Sequence, residues 1–357
     1  MNILFTFTVP SGGVETLNRQ RYDALSRKGI NCHFLYRHKG AGLQNKVNAP
    51  IFISNDETEI KSIIMNGDYA VIIVGYDLLL MKQIREFGYK GIIIYDNQGI
   101  GKRKEYIDTY IKQQARSFIN QYCDAILCPN TPHLVQAFKK YFPHKKTFYF
   151  HNCLNTDKFT YQKHPKRESP IIGWVGRLEE NKNWRDFLEL GSRLIQENPS
   201  IQLWMFEDHS LSYPSQRTAF EQKVKELKIL PHLTVYKNQP HHKMADYYSI
   251  IGDSGGFLCS TSKVEGFGYA VLEAMVCRCP VLSTDSDGVK SFIIHNVTGK
   301  FFEFGNIGQA AQEAKELMNN IPLRDKIREA GVKYIESNFS LETYAMHFIG
   351  MLKQLQK

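Results

Sequence analysis

Two glutamates eight residues apart, Glu265 and Glu273, bracket the run Gly266-Phe267-Gly268-Tyr269-Ala270-Val271-Leu272. Gly256 to Ser260, just before it, reads as a short apolar strand. Tyr269 to Val276 has the spacing and the Ala, Leu, Glu and Met content of a helix. Glu265 therefore belongs at a strand-to-helix corner, and Glu273 inside the helix. Gly266 and Gly268 carry no Cβ, so the backbone there can approach a ligand and turn its N–H groups toward it at the helix N-terminus. A carboxylate at each end of such a corner can accept hydrogen bonds from ligand hydroxyls, one set from a sugar ring and one from a ribose. Taken alone, the pair is equally compatible with a solvated glutamate on a surface helix behind a glycine turn.

A second constellation lies upstream. Ile171-Ile172-Gly173-Trp174-Val175 is an apolar strand that ends in Gly176-Arg177, and Lys182 precedes a helical pattern starting near Trp184. Two cations thus converge at the carboxyl end of a strand, where open α/β sheets bind ligands. They would suit a diphosphate, Arg177 as a planar fork and Lys182 as a point charge. The plain alternative is a surface ion pair with Glu179 or Glu180.

Gly176-Arg177 with Lys182, and Glu265 to Glu273 around Gly-Phe-Gly, together resemble the signature of glycosyltransferase family 4, retaining enzymes of the GT-B fold. Ser11-Gly12-Gly13-Val14-Glu15 resembles that family's glycine loop, Asn152 to Phe159 a divergent Asn-Gly-Val-Asp segment with Cys153 in the glycine's place, and Thr298-Gly299-Lys300-Phe301 its late turn and strand. The resemblance implies two Rossmann-like doubly wound α/β domains facing each other across a cleft that closes over the substrates, with a C-terminal helix crossing back to the first domain. It further implies transfer of a hexose or N-acetylhexosamine from a nucleoside-diphosphate sugar, a UDP-sugar foremost, to a glycan, lipid-linked or cell-envelope acceptor. Configuration would be retained, with no metal and no cofactor beyond the sugar nucleotide as co-substrate.

The site roles carried by that resemblance follow. Arg177 and Lys182 meet the departing diphosphate, Glu265 holds donor-sugar hydroxyls, Phe267 and Gly268 offer backbone N–H groups, and Glu273 takes the ribose. Gly12 and Gly13 add N–H groups from the other domain, and Lys237, Asn238 and Gln239 lie where the base would be held. Two departures stand out. Where many relatives place a histidine near the transferred sugar, this chain runs from Ile92-Ile93-Ile94-Tyr95 into Asp96-Asn97-Gln98, which become the acceptor-side candidates. Ser291 stands where relatives usually carry Glu. The missing histidine keeps a second reading open, a catalytically weak nucleotide-sugar-binding or partner-stabilising module of the same fold, and a third is a sugar-nucleotide epimerase.

Other motifs are weaker. Asp285-Ser286-Asp287 has the Asp-x-Asp spacing of a divalent-metal clamp, but it follows a strand and precedes Gly288, and reads as a turn bearing donor contacts. Gly173-Trp174-Val175-Gly176 is no dinucleotide fingerprint. His241-His242 is expected in a polar surface loop. Cys277-Arg278-Cys279 is too close for an ordinary disulfide.

The elements that must position these residues alternate in the manner of parallel sheets. Candidate strands are Ile3 to Val9, Cys32 to Tyr36, Val71 to Val74, Ile92 to Tyr95, Ala125 to Cys128 and Thr147 to Phe150, then Ile171 to Val175, Gln202 to Phe206, Leu233 to Tyr236, Gly256 to Cys259, Pro280 to Ser283 and Lys300-Phe301. The polar, proline-containing run 161–169 suggests a linker between an acceptor-side domain, 1–160, and a nucleotide-sugar domain, 170–339. Ser340 reads as an N-cap. Leu341, Tyr344, Ala345, Phe348, Leu352 and Leu355 form one stripe of a terminal helix, 340–357.

The 357 residues suffice for two cores. Met1 to Val9 lacks the features of a signal peptide, no apolar run approaches the ~18 residues of a membrane span, and seven scattered cysteines suit reduced thiols. These features predict a cytoplasmic protein, peripheral to the inner membrane face at most. The net charge of +9 is uneven. Residues 1–160 hold 21 Lys and Arg against 13 Asp and Glu, the remainder 24 against 23. Lys102, Arg103, Lys104, Lys112 and Arg116, with Tyr106, Ile107, Tyr110, Ile111, Phe118 and Ile119 between them, suggest a basic amphipathic helix for an anionic membrane or acidic acceptor; a solvated helix face is the alternative. No nucleic-acid motif accompanies the charge.

Overall fold

The structure, a computed structural model, describes residues 1–99, 101 and 103–356. The chain divides into two compact units, one formed by Met1–Asn155 with Phe339–Lys357, the other by Thr156–Asn338.

The first unit is built on seven parallel strands: Asn2–Phe7 (β1), Asn31–Tyr36 (β2), Ile51–Ile53 (β3), Tyr69–Gly75 (β4), Ile92–Asp96 (β5), Ala125–Cys128 (β6) and Lys146–Tyr149 (β7), ordered β3-β2-β1-β4-β5-β6-β7. The central strands are apolar on both faces because helices cover both. One face meets the helices Glu57–Asn66, Leu78–Glu86, the continuous helical run 106–122 and Pro132–Tyr141 through Ile72, Ile93, Ile126 and Phe138. The other meets Gly12–Ser26 and Leu341–Leu355 through Ile3, Phe5, Ile73 and Phe348. The Ser340 side chain accepts from the Thr343 N–H, satisfying one of the first-turn donors that a helix leaves over.

The second unit carries six parallel strands: Ile171–Val175 (β8), Gln202–Glu207 (β9), Leu233–Lys237 (β10), Phe257–Ser260 (β11), Val281–Thr284 (β12) and Lys300–Phe302 (β13), ordered β10-β9-β8-β11-β12-β13. The order reverses between β8 and β11. That is the switch point at which an open sheet leaves a crevice beyond its carboxyl ends.

Two expectations need correction. The segment 161–169 is not a free linker: Tyr161 donates to Asp253 (2.7 Å), the Gln162 N–H to Ser249 Oγ (3.0 Å), and His164 pairs with Asp246 (2.9 Å), all along the helix His241–Asp253. Tyr161, Gln162 and His164 tie the segment to the second unit, whose boundary falls at Asn155/Thr156. The basic amphipathic helix also differs. Ile107, Tyr110, Ile111, Ala115 and Ile119 are buried in the first unit's core, and the helix holds a π-helical turn at Ile111–Ala115. Most of its apolar side is therefore taken up by the core, with Tyr106 left exposed and Phe118 half-buried. Arg103, Lys112 and Arg116 are exposed and Lys104 is half-buried, while Lys102 lies outside the described residues. Among the described residues no helix is long and apolar enough to cross a membrane.

Candidate active site at the strand ends of the second unit

The loops after β8 and β11 are laced together. The Asn181 side chain donates to the Val264 carbonyl (3.0 Å) and accepts from its N–H (3.2 Å), the Lys263 N–H donates to the Asn181 carbonyl (2.8 Å), and Thr261 Oγ1 donates to the Lys182 carbonyl (2.8 Å). Thr261 itself accepts from the buried indole N–H of Trp174 (3.1 Å). The result sets Lys182 Nζ against Glu265 Oε1 in an ion pair, with 22% and 16% of the two side chains exposed. The Lys182 stem lies over Gly176, where a Cβ would come within 3.1 Å of Lys182 Cγ and 2.8 Å of the Trp174 ring. Glycine is thus required next to Arg177 by packing.

Arg177 is more open, 46% exposed, and donates to Glu179 (3.3 Å). This is the surface pair weighed from the sequence. Lys263 meets Glu180 at 3.1 Å. The carboxyl ends of β8 and β11 thereby gather three cations and three carboxylates, the composition expected around a charged, hydroxyl-rich ligand.

Glu265 is held from its other side by the turn after β12. Its N–H donates to the Ser286 carbonyl (2.8 Å) and its own carbonyl accepts from the Gly288 N–H (3.1 Å), in a parallel bridge to Asp287. A Cβ on Gly288 would fall 2.7 Å from both the Glu265 oxygen and the Phe267 nitrogen, so only glycine lets the two loops touch. Phe267 is buried against the Tyr269 and Phe292 rings (5.1 and 5.6 Å), and Gly268, at φ +98°, caps the helix Tyr269–Val276 in a conformation that suits glycine. In the Asp-x-Asp turn, Asp285 pairs with Lys290 (2.7 Å) and Asp287 is buried. Ser291 Oγ donates to the Gly288 carbonyl (2.8 Å).

Glu273 is 4% exposed, and its partners come from the helix that starts after β10. His241 Nε2 stands 2.7 Å from Oε1, and the Tyr248 hydroxyl donates to Oε2 at 3.3 Å. Burial, then the Glu273 charge, raises Tyr248 well above the usual tyrosine range, so it stays a donor. The His241 ring stacks on Phe159 at 4.8 Å. This corrects the expectation of a surface loop: His241 opens the helix His241–Asp253 with 14% of its side chain exposed, while His242 is exposed. A polar neighbour, Pro240 and a second histidine concealed it in the sequence; no local pattern pairs a helix start with a glutamate 32 residues on.

At the end of β10, Lys237 is exposed. Asn238, at φ +46°, donates its N–H to the Glu207 carbonyl (2.9 Å), and Gln239 is held between the Lys237 carbonyl (3.1 Å) and the Tyr247 hydroxyl (3.0 Å). The Asn238 and Gln239 side chains thus brace this loop, Asn238 Oδ1 accepting from the His209 N–H (3.1 Å).

In the first unit, Gly12 and Gly13 are exposed at the start of the helix Gly12–Ser26, Gly12 at φ +67°. Asp96, Asn97 and Gln98 are not an open acceptor surface. Asp96 accepts from Arg21 (2.7 Å) and from Gln98 (2.6 Å), Gln98 accepts from Asn152 (2.8 Å), and Asn97 reaches the Tyr95 hydroxyl (3.2 Å) and the Gly99 N–H (3.1 Å). Asp96 and Asn97 are 2% and 0% exposed. A carboxylate beside a buried guanidinium is drawn inward, which the sequence, with Arg21 and Asp96 seventy-five residues apart, does not show.

Residues 156–334, half of the chain, match the family of glycosyl transferases group 1. The chain belongs to that family. Among curated relatives it is similar to the capsular polysaccharide biosynthesis glycosyltransferase CapM of Staphylococcus aureus, 24% identical over 170 residues, which cover 48% of this chain and 42% of CapM. The matched region thus spans less than half of that relative's length. Among solved structures, HepE of Anabaena, crystallised with UDP-glucose, superposes with a TM-score of 0.83 at 15% identity over 99% of this chain and 100% of HepE. A sucrose-phosphate synthase of Thermosynechococcus elongatus gives 0.81 at 16% identity, over 99% and 98%. These likenesses establish a fold of GT-B type, with two Rossmann-like α/β units.

Proposed function

We propose that this protein transfers a hexose or N-acetylhexosamine from a nucleoside-diphosphate sugar, a UDP-sugar foremost, to a glycan, lipid-linked or cell-envelope acceptor. The anomeric configuration is retained and no metal is used. The observation that carries this reading is the placing of Lys182 against Glu265, beside Gly176-Arg177, at the β8/β11 switch point of a unit whose sequence belongs to the family. The UDP-glucose named with HepE and the capsular polysaccharide named with CapM support the donor and acceptor classes.

In this mechanism negative charge builds on the departing diphosphate, and Lys182 with Arg177 stabilises it. Glu265 holds the donor's hydroxyls while remaining paired to Lys182. Phe267 and Gly268 present backbone at the head of a helix, Glu273 takes the ribose, and Lys237 to Gln239 offer main-chain groups to the base. The test is saturation-transfer NMR against UDP-, GDP- and ADP-sugars, followed by transfer assays on polyprenyl-phosphate and oligosaccharide acceptors; absence of donor binding throughout would remove the assignment.

One observation favours the second reading, a nucleotide-sugar-binding module with little turnover. The side chains of Asp96, Asn97 and Gln98 are all engaged within the first unit. Donor binding with neither transfer nor donor hydrolysis would select it. We also place the protein at the cytoplasmic membrane face, held by Arg103, Lys112 and Arg116 through charge alone. Co-flotation with anionic vesicles at low salt, lost at high salt, is the expected result.

A further inference from the structure

We infer that His241 is a positioning residue for the donor's ribose, acting through Glu273; the inference rests on the proposed donor site. A carboxylate offers about four lone-pair directions and no hydrogen. On Glu273, His241 fills one at 2.7 Å and Tyr248 another at 3.3 Å, which leaves acceptor capacity for two vicinal hydroxyls. Since the carboxylate can only accept, Nε2 carries the hydrogen of that contact.

The arrangement is built rather than incidental. Glu273 is 4% exposed, and a buried carboxylate without donors either turns away or is costly to keep. The imidazole cannot swing freely, because its face lies on Phe159 at 4.8 Å and 28°. Phe159 also meets Tyr248 at 6.2 Å. The helix His241–Asp253 starts at His241 directly after β10, and Glu273 lies in the helix that follows β11. The two side chains thus meet at the carboxyl edge of the sheet, the edge at which open α/β sheets bind their ligands. The helix N-terminus adds its partial positive charge on the same side.

A nucleotide cycle tests this. The affinity of the wild-type protein is measured by calorimetry for UDP, GDP and ADP, and the tightest is compared with its 2′,3′-dideoxyribose counterpart. Wild-type protein should prefer the ribose form by about 10-fold or more, the effect of hydrogen bonds to a charged group. His241→Phe keeps a ring on Phe159 but removes the donor, and should lose most of that preference while binding the dideoxy form nearly as wild type does. His241→Gln, which can place an amide N–H near the Nε2 position, should restore it. A merely structural role would weaken both nucleotides alike and leave the ratio unmoved. A His241→Phe protein with the wild-type ratio overturns the inference, as does a wild-type protein that binds both forms equally. Failure of the wild-type protein to bind any of the three nucleotides is a different result: it removes the donor site itself, and the inference with it.

Discussion

Lys182 and Glu265 keep 22% and 16% of their side chains open, and Arg177 keeps 46%. The Arg177–Glu179 pair, open to solvent, contributes little to folding, about 0–1 kcal/mol, and the proposed function assigns Arg177 and Lys182 to the departing diphosphate instead. Arg177→Ala and Lys182→Met are each expected to lower kcat by about 10²-fold, the cost of removing one donor to developing charge, while the melting temperature moves by no more than a few degrees. Steady-state kinetics beside a thermal melt checks both. An Arg177→Ala enzyme with normal kcat removes that residue from the reaction. Glu265→Gln should instead raise KM for the donor, because an amide in the same place retains packing but loses the charged acceptor.

At the scale of elements, the corner is kept in shape by contacts that involve no ligand. Gly288→Ala would drive a methyl against the Glu265 carbonyl and the Phe267 nitrogen, both at 2.7 Å. Overpacking of this kind costs about 1–3 kcal/mol, and it would push the Glu265 loop outward. The variant should show both a lower urea midpoint and weaker donor binding, read by denaturation and calorimetry. Much of this was legible in the chain: eleven of the twelve expected strands overlap observed ones in at least three residues, and the shortest, Lys300-Phe301, lies within β13. Long apolar runs bounded by turns leave few alternatives in a parallel sheet. The three-residue edge strand Ile51–Ile53 escaped because it is short and partly exposed. Residues that hold the site by long-range side-chain contacts, Asn181 with Val264 and His241 with Glu273, escaped for another reason. Periodicity reports which face is buried, not which polar groups meet there.

At the scale of the molecule, the terminal segment belongs to the first unit's core. Arg21, 1% exposed, donates to the Tyr344 hydroxyl (2.8 Å) and to Asp96 (2.7 Å), so a helix near each end of the chain and β5 share one polar node. Removing one partner strands a buried charge, and Asp96→Ala should cost about 3–5 kcal/mol in urea unfolding. His151 joins the same region, its ring 5.3 Å from Phe339. Burial, and then His347, lowers its pKa below the usual histidine value, and burial does the same to His33. The unfolded chain therefore takes up protons first as pH falls through about 6.5, and the stability held above that pH is lost as acid approaches the folded-state values. Stability measured from pH 7.5 to 5 should decline, and His151→Leu should flatten the slope.

Because the helix Leu341–Leu355 completes a core begun at β1, a ribosome must make all of Thr156–Asn338 before the first unit can close. Until then Phe5, whose ring meets Phe348 at 6.2 Å, lacks that part of its cover on the nascent chain. The second unit, contiguous in sequence, can fold meanwhile, so the half emerging earlier matures last and is the one that would call on chaperones.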